Sequence, residues 1–186
     1  FARHAAKEGA KLFICDIYGD KAKALAEEVG GEVVDADAIY SLDVDIYTPC
    51  ALGGVINDDT IDHFNCDIIA GGANNVLDEE DRNGQMLLDK GILYAPDYVI
   101  NAGGIINIAS ELEGYNEERA MQNAGNIYTT ITDILDYSEE HNIPAHKASN
   151  SLAEQRIETV GNIKNKYSST ASVSGRLGEI YKRFNS

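Results

Sequence analysis

Apolar residues in this chain fall into short runs separated by longer amphipathic stretches. Leu12 to Cys15 closes on Asp16, Val33-Val34 on Asp35, Val44 to Thr48 on Pro49, and Ile68 to Ala70 on Gly71-Gly72. Gly91-Ile92-Leu93-Tyr94 is another such run. Each is short, rich in β-branched or aromatic residues and bounded by a turn former, which predicts strands. Between them the period changes. Residues 1–9 read as an amphipathic helix closing at Gly9. Residues 20–29 place Ala22, Leu25, Ala26 and Val29 on one helical face and stop at Gly30-Gly31, and residues 78–90 read as a further helix. Val99-Ile100 is expected to be one more buried strand, with Asn101 as the amide at its end and Gly103-Gly104 leading into a helix.

Strands alternating with helices of about ten residues predict βαβ units, a mostly parallel sheet covered on both faces, and right-handed crossovers. The expected class is therefore α/β with a Rossmann-like, doubly wound sheet. In such sheets ligands lie beyond the carboxyl ends of the strands. After Gly104 the texture changes. Residues 117–140 form a long helix with Ala120, Ala124, Ile127, Ile131, Ile134 and Leu135 as its apolar stripe. Asn142-Ile143-Pro144 breaks it, and residues 151–164 resume as a more polar helix. The Ser- and Gly-rich tail from Tyr167 onward is the least structured part.

Composition narrows the partners. Of the 186 residues 31 are acidic and 15 basic, a formal charge of −16 that repels nucleic acid and anionic membranes. No run approaches the roughly 20 apolar residues of a membrane span, and the first residues contain no cleavable apolar stretch. Cys15, Cys50 and Cys66 are odd in number and far apart, as expected of reduced thiols in a cytoplasmic protein. Neither they nor the four histidines have metal-ligand spacing, so no metal site is expected. The chain opens on Phe1 rather than Met, which suggests that it begins within a longer protein.

The strand ends carry the candidate chemistry. Asp16 closes the first strand, where an acid either binds the ribose hydroxyls of an adenine dinucleotide or serves as an ordinary turn aspartate. The glycine fingerprint that should precede such an acid by about 20 residues would fall before Phe1. The first strand and its phosphate-binding loop are therefore expected to lie outside this sequence. Pro49-Cys50-Ala51-Leu52-Gly53-Gly54 ends one strand with small residues that could lie against a flat ligand or form a simple turn. Ala70-Gly71-Gly72-Ala73-Asn74-Asn75 ends the next, and Asn101 repeats the pattern after it. Small residues at three consecutive strand ends, two of them bearing amides, point to a pocket.

Four blocks carry a resemblance: "DIYTPCALGGVIND" (45–58), "IIAGGANN" (68–75), "GILYAPDYVINAGGIINIASEL" (91–112) and "GYNEERA" (114–120). In them the chain resembles the glutamate/leucine/phenylalanine/valine family of amino-acid dehydrogenases, up to about Lys164. The resemblance implies NAD-dependent, reversible oxidative deamination of a branched-chain L-amino acid to its 2-oxo acid and ammonia. It assigns Asp16 to the adenosine ribose, and Cys50, Ala51 and Leu52 to the cofactor groove. Ala73 and Asn74 go to the nicotinamide ribose, with Asn74 also near the substrate carboxylate, and Asn101 to the nicotinamide carboxamide. Ile105 and Ile108 would wall the substrate side-chain pocket, unless they are ordinary core residues. Residues 1–140 would be an incomplete NAD-binding domain and 141–186 a C-terminal helical segment and tail, within a homo-oligomer. The family's catalytic lysine and aspartate belong to an N-terminal domain outside this sequence, so no catalytic residue is assigned and the chain alone is expected to be inactive. A valine or phenylalanine enzyme is the alternative within the family. A non-catalytic nucleotide-binding or oligomerisation module is the alternative outside it.

Overall fold

A computed structural model describes residues 1–112 and 114–167. In chain order these form α1 (Ala2–Lys7), β1 (Phe13–Ile14), α2 (Gly19–Val29), β2 (Glu32–Val33), β3 (Ile46–Tyr47), β4 (Ile68–Ile69), α3 (Glu80–Asp89), β5 (Leu93–Tyr94), α4 (Asp97–Ile100), α5 (Gly103–Leu112), α6 (Glu117–His141) and α7 (Ala145–Tyr167). Every strand pairing is parallel: Phe13 opposite Glu32, Ile46 opposite Ile68, and Ile68 opposite Leu93. The class is α/β, as the alternating pattern predicts.

The strands form two ladders, β1-β2 and β3-β4-β5, with no hydrogen-bonded pairing between β1 and β3. Numbering the five strands second to sixth in the doubly wound order 3-2-1-4-5-6 puts this break where the opening strand would stand.

Helices cover two of the connections: α2 joins β1 to β2 and α3 joins β4 to β5. The other two depart from the expected alternation, carrying only 3-10 turns at Ile39–Ser41 and Ile61–His63. In the second, Asn57 Oδ1 accepts the Asp59 and Thr60 N–H groups at 3.0 and 3.1 Å, and Thr60 Oγ1 donates to the Val55 carbonyl at 2.6 Å. These local bonds satisfy the backbone without a helix. Ile61, held by that turn, is fully buried with Ile56, Ile69 and Leu87 in the main core. Beside them Tyr40, Tyr47 and Phe64 cluster with ring centroids 4.8–5.9 Å apart.

Val99 and Ile100 are not a strand. The sheet stops at Tyr94, and Asp97–Ile100 makes a single helical turn in which the Val99 and Ile100 N–H groups donate to the Pro96 carbonyl at 3.0 and 3.2 Å. Proline, with its fixed φ and no N–H, suits the position just before that turn. Val99 is apolar because it packs on Ile134 of α6 and on Ala145 and Ala148 of α7. Asn101 therefore closes a helical turn rather than a strand.

The long helix matches expectation. Asn116 caps α6 by accepting the Arg119 N–H at 2.9 Å, and Asn142, at φ 50°, ends it in the left-handed region. The last helix starts at Ala145, earlier than its polar pattern suggests, because Ala145 and Ala148 are buried against α6. It runs to Tyr167, so the tail expected to be unstructured lies outside the described residues from 168 onward. Among the described residues no helix is long and apolar enough to cross a membrane, and no His, Cys, Asp or Glu cluster could hold a metal.

Candidate functional site

The carboxyl ends of β3, β4 and β5 lie side by side because the strands are parallel and adjacent. The loop after β3 is laced to the loop after β4 through the backbone. The Ala73 N–H donates to the Pro49 carbonyl at 3.0 Å and the Gly54 N–H to the Asn75 carbonyl at 2.8 Å. Glycines allow the approach: a Cβ on Gly53 would stand 2.6 Å from the Asn74 and Asn75 carbonyl oxygens. Asn75 turns the second loop at φ 52°, a left-handed conformation that asparagine tolerates better than most side chains.

That loop is also laced to α4. Asn101 Nδ2 donates to Asn74 Oδ1 and, at 3.4 Å, to the Ala73 carbonyl. Asp97 is buried, and its Oδ2 accepts the Val76 N–H at 2.7 Å. The Asp97 N–H donates to the Tyr94 hydroxyl at 3.3 Å. Burial and the neighbouring Asp97 carboxylate push the Tyr94 phenol well above its ordinary range, so it stays protonated.

Asn74, Asn75, Asp97, Tyr98, Asn101, Ala102 and Ile105 line an open cavity of about 470 Å³ at this point. Three residues named from the sequence, Asn74, Asn101 and Ile105, meet there. Ala73 lies buried beneath them. Ile108 does not line the cavity and is 59% exposed on α5. Cys50, Ala51 and Leu52 are exposed on the adjoining loop, outside the lining but tied to the Asn74 loop by the bonds above. Asp16 is exposed at the end of β1, where its Oδ1 accepts the Tyr18 N–H at 2.8 Å. It thus makes the turn contact foreseen as its simpler role, with its second carboxylate oxygen available.

Asn75 belongs to the strand-end amides read from the sequence, whereas Asp97, Tyr98 and Ala102 escape that reading. Asp97 was hidden by taking the following residues as strand. The Pro96-Asp97 pair, a proline followed by an acid in the first helical turn, is the signal that could have revealed it.

The amide pair has a chemical polarity. With Asn101 Nδ2 engaged by Asn74 Oδ1, Asn101 Oδ1 remains an acceptor and Asn74 Nδ2 a donor, neither with a partner among the described residues. An acceptor beside a donor complements a ligand carboxamide. No cationic side chain lines the cavity among the described residues, which disfavours a carboxylate side chain there, whereas Ile105 and Ala102 suit an apolar one.

Comparison with known proteins bears on this arrangement. The Glutamate/Leucine/Phenylalanine/Valine dehydrogenase family model matches residues 7–165. Leucine dehydrogenase of Thermoactinomyces intermedius is 50% identical over 156 residues, covering 84% of this chain and 42% of that protein. Phenylalanine dehydrogenase of Bacillus thermotolerans is 45% identical over 162 residues, covering 83% of this chain and 42% of that protein. Among solved structures, L-tryptophan dehydrogenase from Nostoc punctiforme aligns with a TM-score of 0.83 at 46% identity, over 85% of this chain and 48% of that one. The chain spans less than half the length of each of these proteins.

Proposed function

The chain belongs to the glutamate/leucine/phenylalanine/valine dehydrogenase family, and from that premise we propose that it forms the cofactor-binding part of an NAD-dependent amino-acid dehydrogenase. The reaction is reversible oxidative deamination of a branched-chain, leucine-like L-amino acid to its 2-oxo acid and ammonia. The observation that carries the reading is the Asn74–Asn101 pair in the lining of the cavity that Ala102 and Ile105 share.

Each side chain then has a task. Asn101 Oδ1 and Asn74 Nδ2 bind and orient the nicotinamide carboxamide, and Asn74 also reaches toward the substrate carboxylate. Ala73 lies under the nicotinamide ribose, while Cys50, Ala51 and Leu52 border the cofactor groove. Asp16 accepts hydrogen bonds from the adenosine ribose hydroxyls, a position where a carboxylate would repel a 2′-phosphate. When bound, NAD supplies the acceptor for the hydride released from the substrate α-carbon. This chain's part is to hold that acceptor in place and keep water from one side of it. No described lysine lines the cavity, and no catalytic residue is assigned here. On this reading the proton-transferring groups come from outside the chain, and the chain by itself forms no NADH.

Ile105 supports an apolar substrate side chain, and Ile108, outside the cavity lining but on the same helix, extends that apolar surface along α5. A glutamate side chain would meet no cationic partner among the described residues of that lining. Residues 1–140 act as the cofactor-binding unit and 141–186 as the segment appended to it, in a cytoplasmic homo-oligomer without nucleic-acid or membrane partners. The test is NADH formation by the intact polypeptide that carries this chain, with leucine, valine, isoleucine, phenylalanine and glutamate in parallel. The expected result is the highest kcat/KM for leucine. A higher value for phenylalanine or valine moves the substrate within the family. Failure to bind NADH at all overturns the reading.

A further inference from the structure

We propose that Asp97 is a positioning residue for the cofactor site, acting through the loop that carries Asn74. The inference rests on the proposed role of the amide pair, and its geometry is local. The single turn α4 fastens residues 73–76 at two points. At its start, Asp97 Oδ2 takes the Val76 N–H at 2.7 Å. At its end, Asn101 takes Asn74 Oδ1, while the Asn101 N–H donates back to the Asp97 carbonyl at 2.9 Å. Between the two fastenings sits Asn75 at φ 52°, a conformation that persists only where the surroundings impose it.

The carboxylate is well suited to this work. It is 6% exposed, and a charge-assisted hydrogen bond in so dry a setting is among the stronger ones available. Its own N–H is held by the Tyr94 hydroxyl at the end of β5. Asp97 therefore fixes the β4 loop relative to the β5 strand end, and so fixes Asn74 relative to Asn101. Without it, Val76 loses its acceptor, Asn75 is free to leave the left-handed region, and the two amides lose their common orientation.

Two measurements on the intact polypeptide test this. The first needs no turnover: hydrogen exchange of the Val76 amide, with NMR of the Asn101 side-chain amide. Asp97→Ala should deprotect Val76 and shift the Asn101 side-chain resonance while Ile69 on β4 keeps its protection. Asp97→Asn, which retains an acceptor oxygen, should restore most of both signals, and it serves also if the alanine variant does not fold. Unchanged Val76 protection and an unshifted Asn101 resonance overturn the proposal.

The second is a double-mutant cycle on NADH affinity. Asp97→Ala should weaken NADH binding about tenfold in the wild-type background and less than about twofold when Asn74 and Asn101 are both alanine. An equal loss in the two backgrounds refutes action through the amides. If removing both amides leaves NADH affinity unchanged, the reading of the site fails, and the exchange data alone then decide the role of Asp97 in holding the loop.

Discussion

Gly71 and Gly72 are neighbours of the same residue type, yet the structure predicts opposite outcomes for their replacement by alanine. A Cβ on Gly71 would stand 2.1 Å from the Pro49 carbonyl oxygen, 2.6 Å from the Pro49 nitrogen and 2.7 Å from its carbonyl carbon. All three are backbone atoms, so no side chain can swing aside. A carbon–oxygen contact needs about 3.3 Å, which would part the ends of β3 and β4 by about 1 Å. The Ala73 N–H to Pro49 carbonyl bond, now 3.0 Å, would stretch beyond hydrogen-bonding range. Overpacking costs about 1–3 kcal/mol and the lost bond about 1 kcal/mol, giving about 2–4 kcal/mol for Gly71→Ala. At Gly72 the nearest atom is Cys50 Sγ at 3.9 Å, an ordinary contact, and Gly72→Ala should stay within about 0.5 kcal/mol. Urea unfolding reads the difference directly. With a slope near 2 kcal/mol/M, the Gly71→Ala midpoint should fall by about 1–2 M while that of Gly72→Ala hardly moves. Coincident midpoints for the two variants would show that the strand ends are not locked as described. Because the same contact lines up the Asn74 loop, Gly71→Ala should also weaken NADH binding, and Gly72→Ala should not.

Four further outcomes are expected. Asn101→Ala should lower kcat/KM for NAD by about tenfold or more with little loss of stability, since the residue is half-exposed; an unchanged hydride-transfer rate removes its assignment. Asp16→Ala should raise the NAD KM by about tenfold and leave the leucine KM within about twofold, whereas equal effects on both would count against a ribose contact. Beyond its chain neighbours and its own helix backbone, no described atom lies within 4 Å of a Cβ on Gly104, so Gly104→Ala should stabilise α5 by about 0.5–1 kcal/mol yet weaken NADH binding, and unaltered affinity would mean that no ligand passes there. At alkaline pH the Tyr94 phenol, raised by burial and by Asp97, keeps its proton in the folded state after the unfolded chain has lost it. Its contribution to stability is complete below about pH 10 and falls as pH rises above that, by up to about 1.4 kcal/mol per pH unit. Tyr94→Phe should reduce the alkaline slope of the unfolding midpoint by about one proton, and an identical slope would refute the assignment.

Features set by local punctuation were legible in the sequence. Gly30 ends α2 in the left-handed region, and Asn142 before Pro144 ends α6, each within a residue or two of where the pattern stops. The β4 run ends at small residues and amides, and Asn74 could be picked out there as a strand-end residue, whereas Asn101, expected on the same ground, stands at the end of a helical turn. Contacts between distant segments were not legible. Val99-Ile100 has the composition of a buried strand, but Val99 packs instead on the cluster of Ile134, Ala145 and Ala148, more than thirty residues further on in α6 and α7. Ile105 and Ile108 are three apart and look equivalent, but only the first lines the cavity.

Asp97 is the sharpest instance. Its partner is a backbone N–H 21 residues earlier in the chain, and no residue type at position 76 announces a donor, since every residue but proline supplies one. The same holds for Gly71 against the Pro49 backbone. A sequence displays the side chains that would meet a ligand. The backbone contacts that hold those side chains still have no residue signature except the glycine that must be absent of a side chain, or the acid that must be buried. In this site the two kinds of residue are neighbours, so a mutational map should find binding lost at Gly71 and Asp97 as well as at Asn74 and Asn101. Only the first two should carry a stability cost along with it.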